Sequence, residues 1–373
     1  MQQIYLNDEN IKGELSTLFK TNSIHRFLLV CDKFFLHKET YDIIRQCAKE
    51  NHIEFCVFTD FEPNPQYESV VYGVDLFKAE QCDMIIAAGG GSALDVAKCI
   101  KLYSNMDKSK SYLEQCIVEN DVKILALPTT AGTGSEATRY AVIYFEGEKQ
   151  SVCHESCIPE YVWLAPAVLD SLPEYQRKAT MLDAICHAIE SYWSVNSTNE
   201  SKEYAKQALE LVQKNMKGYL SNIREGNEGM LLAANYAGKA INITQTTAAH
   251  AMCYKLTTKF GISHGHAAGL CLPKVWRFMY THTENCVDKR GSEYLLKMFK
   301  EISEIIGFSE PLRAAQALEE LMESLNLKAP VLEADKEKAI ESLSKSVNPV
   351  RLKNNPVQMD ENQLREIYNE IFI

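Results

Sequence analysis

Short apolar segments alternate with helical stretches over the first half of the chain. The apolar segments are residues 27–30, 55–58, 84–88, 124–127 and 162–164. Strands that alternate with helices in this way are typical of βαβ units and a parallel sheet. After Pro173 the pattern changes to amphipathic helices with few strand-like runs. It therefore predicts an α/β domain at residues 1–172 followed by a helical domain at residues 173–373.

Two glycine-rich segments directly follow predicted strands. Gly89-Gly-Gly-Ser92 leads into an apparent helix, and Pro128-Thr-Thr-Ala-Gly-Thr-Gly-Ser-Glu136 follows the next strand. Glycine exposes backbone N–H groups, and a helix N-terminus orients them toward a phosphate. A simple strand-to-helix turn would need fewer than three glycines, each of which costs conformational entropy. Position 94 is Leu94, so the G-x-G-x-x-G fingerprint is absent, yet the two loops together predict a nucleotide site.

Four residues of the second half have the composition of a divalent-metal site. Asp183 and His187 are four positions apart in a helical stretch, so their side chains share one helix face. His250 and His264 come from a second segment, in which Gly261 and Gly265 are expected to bend the chain around the ion. Any single histidine is more often a satisfied polar group of a helical core. Three imidazoles and one carboxylate, however, form a set that suits Fe²⁺ or Zn²⁺.

These motifs, in this order, resemble the iron-containing alcohol dehydrogenase family. The matching segments are Gly89-Gly-Gly-Ser-Ala-Leu-Asp-Val-Ala-Lys98, Pro128 to Glu136, Asp183-Ala-Ile-Cys-His-Ala-Ile-Glu190, and His250 with Ser263-His264-Gly265. The resemblance implies a dehydroquinate synthase-like fold, with a Rossmann-like NAD-binding domain before a helical metal- and substrate-binding domain. It also implies that the four metal ligands are Asp183, His187, His250 and His264. A homodimer is expected, with metal and nicotinamide meeting between the domains.

The resemblance also implies which residues face the cofactor. Asp32, after the first predicted strand, matches the position that binds the adenosine ribose and repels a 2′-phosphate, so NAD(H) is expected over NADP. Asp32 could alternatively only cap the segment that follows it. The complete expected set is Asp32, Asn64, Gly90, Gly91, Ser92, Asp95, Thr129, Thr130, Thr133, Ser135 and Lys149.

The segments around His250 and His264 are similar to the branch of the family that reduces phosphonoacetaldehyde to 2-hydroxyethylphosphonate. A phosphonate dianion needs cationic partners near the metal, and the candidates are Arg139, Lys239 and Lys255. Basic side chains are more often simply solvated. Lys255 is expected to be buried, since it follows His250 in a small, apolar run.

The proton route departs from the family pattern. Several relatives have a further histidine four residues after the third ligand, and here that position is Tyr254. Three routes remain open: the Tyr254 hydroxyl, His266 from the other side, or water acting on the metal-bound alkoxide.

Composition narrows the class of protein. The net charge of −11 argues against a nucleic-acid partner. The N-terminus does not resemble a signal peptide and no run reaches membrane-spanning length, so a cytoplasmic protein without a membrane partner is expected. The twelve scattered cysteines are expected to be free thiols in a reducing compartment.

Three functions follow from these observations. The first is metal-assisted, NADH-dependent reduction of phosphonoacetaldehyde, in which the metal polarises the aldehyde and the nicotinamide donates hydride. The second is a general short-chain or polyol alcohol dehydrogenase with the same machinery. The third is a non-catalytic sensor that binds NAD and metal.

Overall fold

A computed structural model describes residues 3–332 and 335–372 of the chain. The chain forms two compact units. The first comprises Met1–Thr130 and Gly134–Leu172, and the second comprises Ala131–Thr133 and Pro173–Ile373. The first unit contains a parallel sheet with flanking helices, and the second is largely helical. This order confirms the predicted fold class.

The first unit is an α/β structure. Its described strands are β1 (Ile4–Tyr5), β2 (Arg26–Cys31), β3 (Glu54–Phe58), β4 (Met84–Gly89), β5 (Lys123–Pro128), β6 (Tyr140–Phe145), β7 (Glu148–Cys153) and β8 (Tyr161–Val162). The helices among them are α1 (Ile11–Thr21), α2 (Glu39–Glu50), α3 (Tyr67–Ala79) and α4 (Gly91–Tyr103).

Six strands form one parallel sheet in the order β1-β8-β5-β4-β2-β3. The chain passes from β2 to the edge strand β3 and then crosses to β4, on the other side of β2. The order of the strands therefore reverses between β2 and β4. In open α/β sheets, ligands bind beyond the carboxyl ends of the strands at such a reversal. This edge carries the residue after β2, Asp32, and the glycines that end β4.

The central strands are apolar because both faces of the sheet are covered. Every residue of β4 is buried, and five of the six residues of β2 are buried. Such strands have continuous apolar runs instead of alternating ones, which is why the sequence pattern identified them. The antiparallel hairpin of β6 and β7 was not predicted. Its second strand is half-exposed and polar, so it lacks a clear hydrophobic run.

The second unit is helical. Its described helices are α5 (Glu174–Trp193), α6 (Asn199–Leu220), α7 (Arg224–Thr244), α8 (Ala248–Phe260), α9 (His264–Thr281), α10 (Ser292–Ile305), α11 (Pro311–Ser324), α12 (Lys336–Lys345), α13 (Pro349–Leu352) and α14 (Glu361–Ile371). Helix α5 packs against α6, α7 and α9 and is buried over most of its length. Trp193 at its end packs edge-to-face on Trp276, with ring centroids 5.5 Å apart.

Among the described residues, no helix is both long enough and apolar enough to cross a membrane.

Candidate active site

Helices α5 and α8 bring three of the four predicted metal ligands together. Asp183 and His187 lie one turn apart on α5, and His250 lies in the first turn of α8. One ligand atom from each residue lies within 4.8 Å of the other two. The His187 and His250 rings are stacked, with centroids 4.6 Å apart and an angle of 15° between their planes. The side chains of Asp183 and His187 are therefore neighbours in the structure, as their spacing in the helix predicted.

The cluster contains buried polar atoms that a cation would satisfy. Among the described residues, Oδ1 of Asp183, Nδ1 of His187 and Nε2 of His250 are buried without a hydrogen-bond partner. Nε2 of His250 and Oδ1 of Asp183 are 3.4 Å apart. A buried polar atom without a partner is costly, and three of them in one cluster of neighbouring residues are rare in a folded protein. Nitrogen and carboxylate donors in this arrangement fit a divalent transition metal.

Charges within the cluster alter the pKa values of its members. Burial alone would raise the pKa of Asp183, but His187 and the other imidazoles outweigh it and keep this pKa below its usual range. Burial lowers the pKa of His187. Both shifts favour an ionised carboxylate beside a neutral imidazole, which are the protonation states that bind a metal.

Glu190 orients His250. It is completely buried on α5, and one carboxylate oxygen is hydrogen-bonded to Nδ1 of His250. The other oxygen accepts from the Thr247 backbone N–H (3.0 Å) and the Thr247 hydroxyl (2.8 Å). Burial alone would lower the pKa of His250, but Glu190 and Asp183 raise it to about 9. Without a metal, His250 is therefore protonated at neutral pH. Glu190 accepts the hydrogen bond from Nδ1–H, so Nε2 is the nitrogen that would exchange its proton for a metal.

Glu190 was not predicted as a site residue, although the sequence contained a signal for it. It lies seven residues after Asp183 and three after His187 in the same helix. Residues with this spacing share one helix face. A second acidic group on the face that carries the two ligands could have been recognised as their support.

His264, the fourth predicted ligand, lies beside the cluster and not within it. It is the first residue of α9 and is half-buried, with its ring centroid 5.2 Å from that of His250. The turn before it is made by Gly261, which ends α8 in the left-handed conformation (φ +65°). Gly265, which was expected to bend the chain, instead lies in the first turn of α9. A Cβ there would be 2.0 Å from the carbonyl oxygen of Ala179, so its function is to allow close packing on α5.

Tyr254 lies next to the cluster and has a partner that the sequence did not indicate. Its ring stacks on His264, with centroids 5.6 Å apart. Its hydroxyl is hydrogen-bonded to the side chain of Arg351, from α13. Burial raises the pKa of Tyr254 to about 12, although Arg351 opposes the shift. The phenol is therefore protonated at neutral pH and can donate a hydrogen bond or a proton.

His266 is engaged away from the cluster. Its Nδ1 is 3.1 Å from the Tyr175 hydroxyl and its Nε2 is 3.1 Å from the carbonyl oxygen of Lys328. It follows His264 by two residues, so the two side chains leave α9 on nearly opposite sides. The expectation that His266 could relay a proton is corrected: both ring nitrogens bind structural partners.

The predicted substrate cations need correction as well. Lys255 is exposed and not buried, because five residues of helix place it about 140° around α8 from His250. The ammonium of Lys239 lies over the rings of Tyr204 and Tyr236, at 5.6 and 5.3 Å from their centroids. Arg139 belongs to the first unit, where it pairs with Glu155.

In the first unit, the two glycine-rich loops lie side by side. β4 and β5 are paired in register up to Gly89 and Pro128, and the Thr129 N–H donates to the carbonyl oxygen of Gly89 at 2.9 Å. Gly90 precedes the first turn of α4, which contains Gly91 and Ser92. A Cβ on Gly89 would be 2.5 Å from Cβ of Ala93, so glycine is required here by a close approach. The two loops that were predicted to bind a phosphate are therefore neighbours at this edge of the sheet.

The remaining residues predicted to face the cofactor have different environments. Asp32 follows β2, and its Oδ1 accepts from the Phe35 N–H at 2.9 Å, so it does cap the next segment. Its Oδ2 lies 3.8 Å from the position of a Cβ on Gly89, beside the first loop. Asn64 and Lys149 are exposed. Thr130 and Thr133 are half-buried, and Thr133 is grouped with the second unit.

Asp95 and Ser135 support the loops from within. The Ser135 hydroxyl donates to Asp95 at 3.0 Å, and the other carboxylate oxygen accepts from the Val142 N–H at 3.0 Å. The ammonium of the buried Lys98 donates to the carbonyl oxygens of Ser135 (2.6 Å) and Tyr140 (2.8 Å). Asp95 and Ser135 thus hold the loop together, and their contact with the cofactor stays a prediction. Lys98 was not predicted at all.

Replacing Lys98 with methionine is expected to lower the free energy of unfolding by about 2–3 kcal/mol, because several carbonyl and hydroxyl oxygens lose a charged donor. Urea denaturation would measure this loss. Lys110→Met, at an exposed position, is the matched control and should change stability by less than about 0.5 kcal/mol. Equal midpoints for the two variants would contradict the supporting role of Lys98.

Comparison with known families covers nearly the whole chain. Residues 3–166 match the iron-containing alcohol dehydrogenase family, and residues 178–372 match the C-terminal domain of the Fe-containing alcohol dehydrogenase family. The two matched regions fall on the two compact units.

Individual relatives agree with this assignment. A phosphonoacetaldehyde reductase from Streptomyces viridochromogenes is 28% identical over 308 residues, which are 79% of this chain and 77% of the relative. An NAD-dependent methanol dehydrogenase from Bacillus methanolicus is 30% identical over 271 residues, 71% of each chain. The structure of a sulfoacetaldehyde reductase from Bifidobacterium kashiwanohense, in complex with NAD⁺, has 26% identity and a TM-score of 0.87, and the match covers 99% of this chain and 96% of that one. The chain is therefore an oxidoreductase that belongs to the iron-containing alcohol dehydrogenase family.

Proposed function

We propose that this enzyme uses NADH to reduce phosphonoacetaldehyde to 2-hydroxyethylphosphonate. The main support for the reaction class is the cluster of Asp183, His187 and His250, in which each residue has one buried polar atom without a hydrogen-bond partner. Support for the substrate comes from two relatives, a phosphonoacetaldehyde reductase and a sulfoacetaldehyde reductase. Both substrates are two-carbon aldehydes with an anionic tetrahedral group on the carbon next to the carbonyl.

Asp183, His187, His250 and His264 are the proposed ligands of a divalent metal, Fe²⁺ in line with the family description, with Zn²⁺ as a second possibility. When bound, such an ion supplies Lewis-acid polarisation of a carbonyl oxygen. The contribution of the protein is to keep Asp183 ionised and the imidazoles in the correct tautomer. Glu190 does this for His250 by accepting a hydrogen bond from Nδ1–H.

The proposed cofactor site is the cradle at the carboxyl ends of β2, β4 and β5. The backbone N–H groups at the start of α4, after Gly90, would bind a pyrophosphate. Asp32 would bind the adenosine ribose and repel a 2′-phosphate, which favours NAD(H) over NADP. Lys98 and Asp95 keep the second loop in place for this purpose.

Two routes remain for the proton that the product alcohol requires. Tyr254 lies beside His264 and is protonated at neutral pH, so its hydroxyl is one candidate. Water is the other. His266 is omitted, since its ring nitrogens bind Tyr175 and Lys328. We also propose a homodimer and a cytoplasmic location, which rest on the family resemblance and on composition.

A general alcohol dehydrogenase is the second candidate. The exposed position of Lys255 favours it, because one of the cations expected to bind a phosphonate is lost from the site. The methanol dehydrogenase among the relatives supports it as well. A non-catalytic sensor is the third candidate, and it predicts cofactor and metal binding without turnover of any aldehyde.

The test is NADH oxidation by the Fe²⁺-loaded protein with phosphonoacetaldehyde, propionaldehyde and glycolaldehyde. We expect kcat/KM for the phosphonate to exceed the values for the neutral aldehydes by at least about tenfold, because an anionic group adds charge-assisted hydrogen bonds. Asp183→Ala is the negative control, with no turnover expected. Equal rates for all three aldehydes would establish the general enzyme, and no turnover with any would establish the sensor.

A further inference from the structure

We propose that Arg351 and Tyr254 together form the subsite for the anionic head group of the substrate, a tetrahedral phosphonate or sulfonate. This inference rests on the proposed function of the metal cluster and names the residues that would give it specificity. It replaces Lys255, which the sequence suggested for this role and which is exposed on α8.

The backbone of Arg351 is held close to the metal cluster. Helix α13 packs on α8, and the Asn348 N–H donates to the carbonyl oxygen of Ala251 at 3.2 Å, one residue after His250. The Asn348 side chain then caps α13 by accepting from the N–H groups of Val350 (3.0 Å) and Arg351 (3.1 Å). These hydrogen bonds fix the backbone of Arg351 next to the turn of α8 that contains His250.

The side chains of Arg351 and Tyr254 form a pair of donors. A guanidinium only donates hydrogen bonds, so the Tyr254 oxygen must be the acceptor of their shared hydrogen bond. The phenol can therefore donate its own proton in another direction. A guanidinium has five N–H donors, so binding Tyr254 and a substrate oxygen at the same time is chemically reasonable. The Tyr254 hydroxyl of α8 and the charged Arg351 guanidinium of α13 thus form two neighbouring hydrogen-bond donors.

The Tyr254 ring is separated from the metal cluster by one histidine ring, which suits a short substrate. The Tyr254 ring stacks on His264 at 5.6 Å, and the His264 ring is 5.2 Å from that of His250. In phosphonoacetaldehyde or sulfoacetaldehyde, the phosphorus or sulfur atom is only two bonds from the carbonyl carbon. A carbonyl oxygen at the metal ligands would therefore leave the anionic group near Tyr254 and Arg351. The planar guanidinium matches such oxygens better than an ammonium group does.

The experiment compares Arg351→Gln with Lys353→Gln, which removes a positive charge from an exposed position two residues away. Each variant, loaded with Fe²⁺, is assayed with phosphonoacetaldehyde, sulfoacetaldehyde and propionaldehyde. Binding of 2-hydroxyethylphosphonate is also measured by calorimetry, and thermal unfolding is recorded as a check on folding. Arg351→Lys tests whether charge alone is sufficient.

We expect Arg351→Gln to lower kcat/KM for the anionic aldehydes by about 10- to 100-fold and to weaken 2-hydroxyethylphosphonate binding by a similar factor. Its kcat/KM for propionaldehyde should fall much less, because that substrate loses only the effect of Arg351 on Tyr254, and Lys353→Gln should change neither value. Arg351→Lys should recover only part of the loss. A common loss for charged and neutral aldehydes, or unchanged binding of 2-hydroxyethylphosphonate, would overturn the inference. By contrast, a wild-type enzyme without preference for anionic aldehydes would overturn the proposed function, and the calorimetry would still decide whether Arg351 binds the anion.

Discussion

Replacing Glu190 with glutamine is expected to weaken metal binding by about 10- to 100-fold while changing the fold little. The amide oxygen can still accept from Thr247, as the carboxylate oxygen does now. The amide nitrogen, however, would face Nδ1 of His250 and could only donate to it. His250 would then carry its proton on Nε2, the atom needed for the metal.

Glu190→Ala should have a second effect that Glu190→Gln lacks. It leaves the buried donors of Thr247 and His250 without an acceptor, so the free energy of unfolding of the metal-free protein should fall by about 3–5 kcal/mol. Metal affinity measured by competition with a chelator, together with urea denaturation, separates the two effects. If Glu190→Gln bound Zn²⁺ and Fe²⁺ as tightly as wild type, Glu190 would not control the tautomer of His250.

Gly265→Ala is expected to lower the free energy of unfolding by about 3 kcal/mol or more and to weaken metal binding as well. The new Cβ would lie 2.0 Å from the carbonyl oxygen of Ala179 and 2.7 Å from Cβ of Asp183. The first of these atoms belongs to the backbone of α5, so the side chains cannot relieve the overlap. Helices α5 and α9 must separate, which is the costly form of overpacking and displaces Asp183.

Gly269→Ala on the same helix is the matched control. Its Cβ would meet the end of the flexible Met322 side chain at 2.9 Å, which can move. The helix propensity of alanine should offset part of that cost, so a change of less than about 1 kcal/mol is expected. Denaturation midpoints and metal affinities for both variants would test this difference. Similar stability of the two variants would show that the close approach at Gly265 is not required.

The hydrophobic pattern was sufficient for the main architecture. The five apolar segments correspond to β2, β3, β4, β5 and β8, because strands covered on both faces need continuous apolar residues. The hairpin of β6 and β7 was missed, since a half-exposed pair of strands has no comparable requirement. The short strand β1 has only two residues and exposes both of them, so it carries no usable pattern.

The site was predicted best where the chemistry depends on spacing within one helix. Asp183 and His187 are an example, because four residues of α-helix always place two side chains on one face. The same rule, applied to the next helix, would have placed Lys255 far from His250. The partners of His266 and Asp95 were not predicted, because Tyr175, Lys328 and Val142 are distant from them in sequence.

The sequence by itself determined the order of sheet and helices, the two glycine-rich loops and the pairing of Asp183 with His187. These features depend on local hydrophobicity, on glycine and on helical periodicity, all of which act over a few residues. Only the tertiary structure decided that His250 joins that pair, that Glu190 orients it, and that Arg351 reaches Tyr254. Residue types near a metal can be read from the chain, but the direction of each side chain is set by the packing of helices that are far apart in sequence.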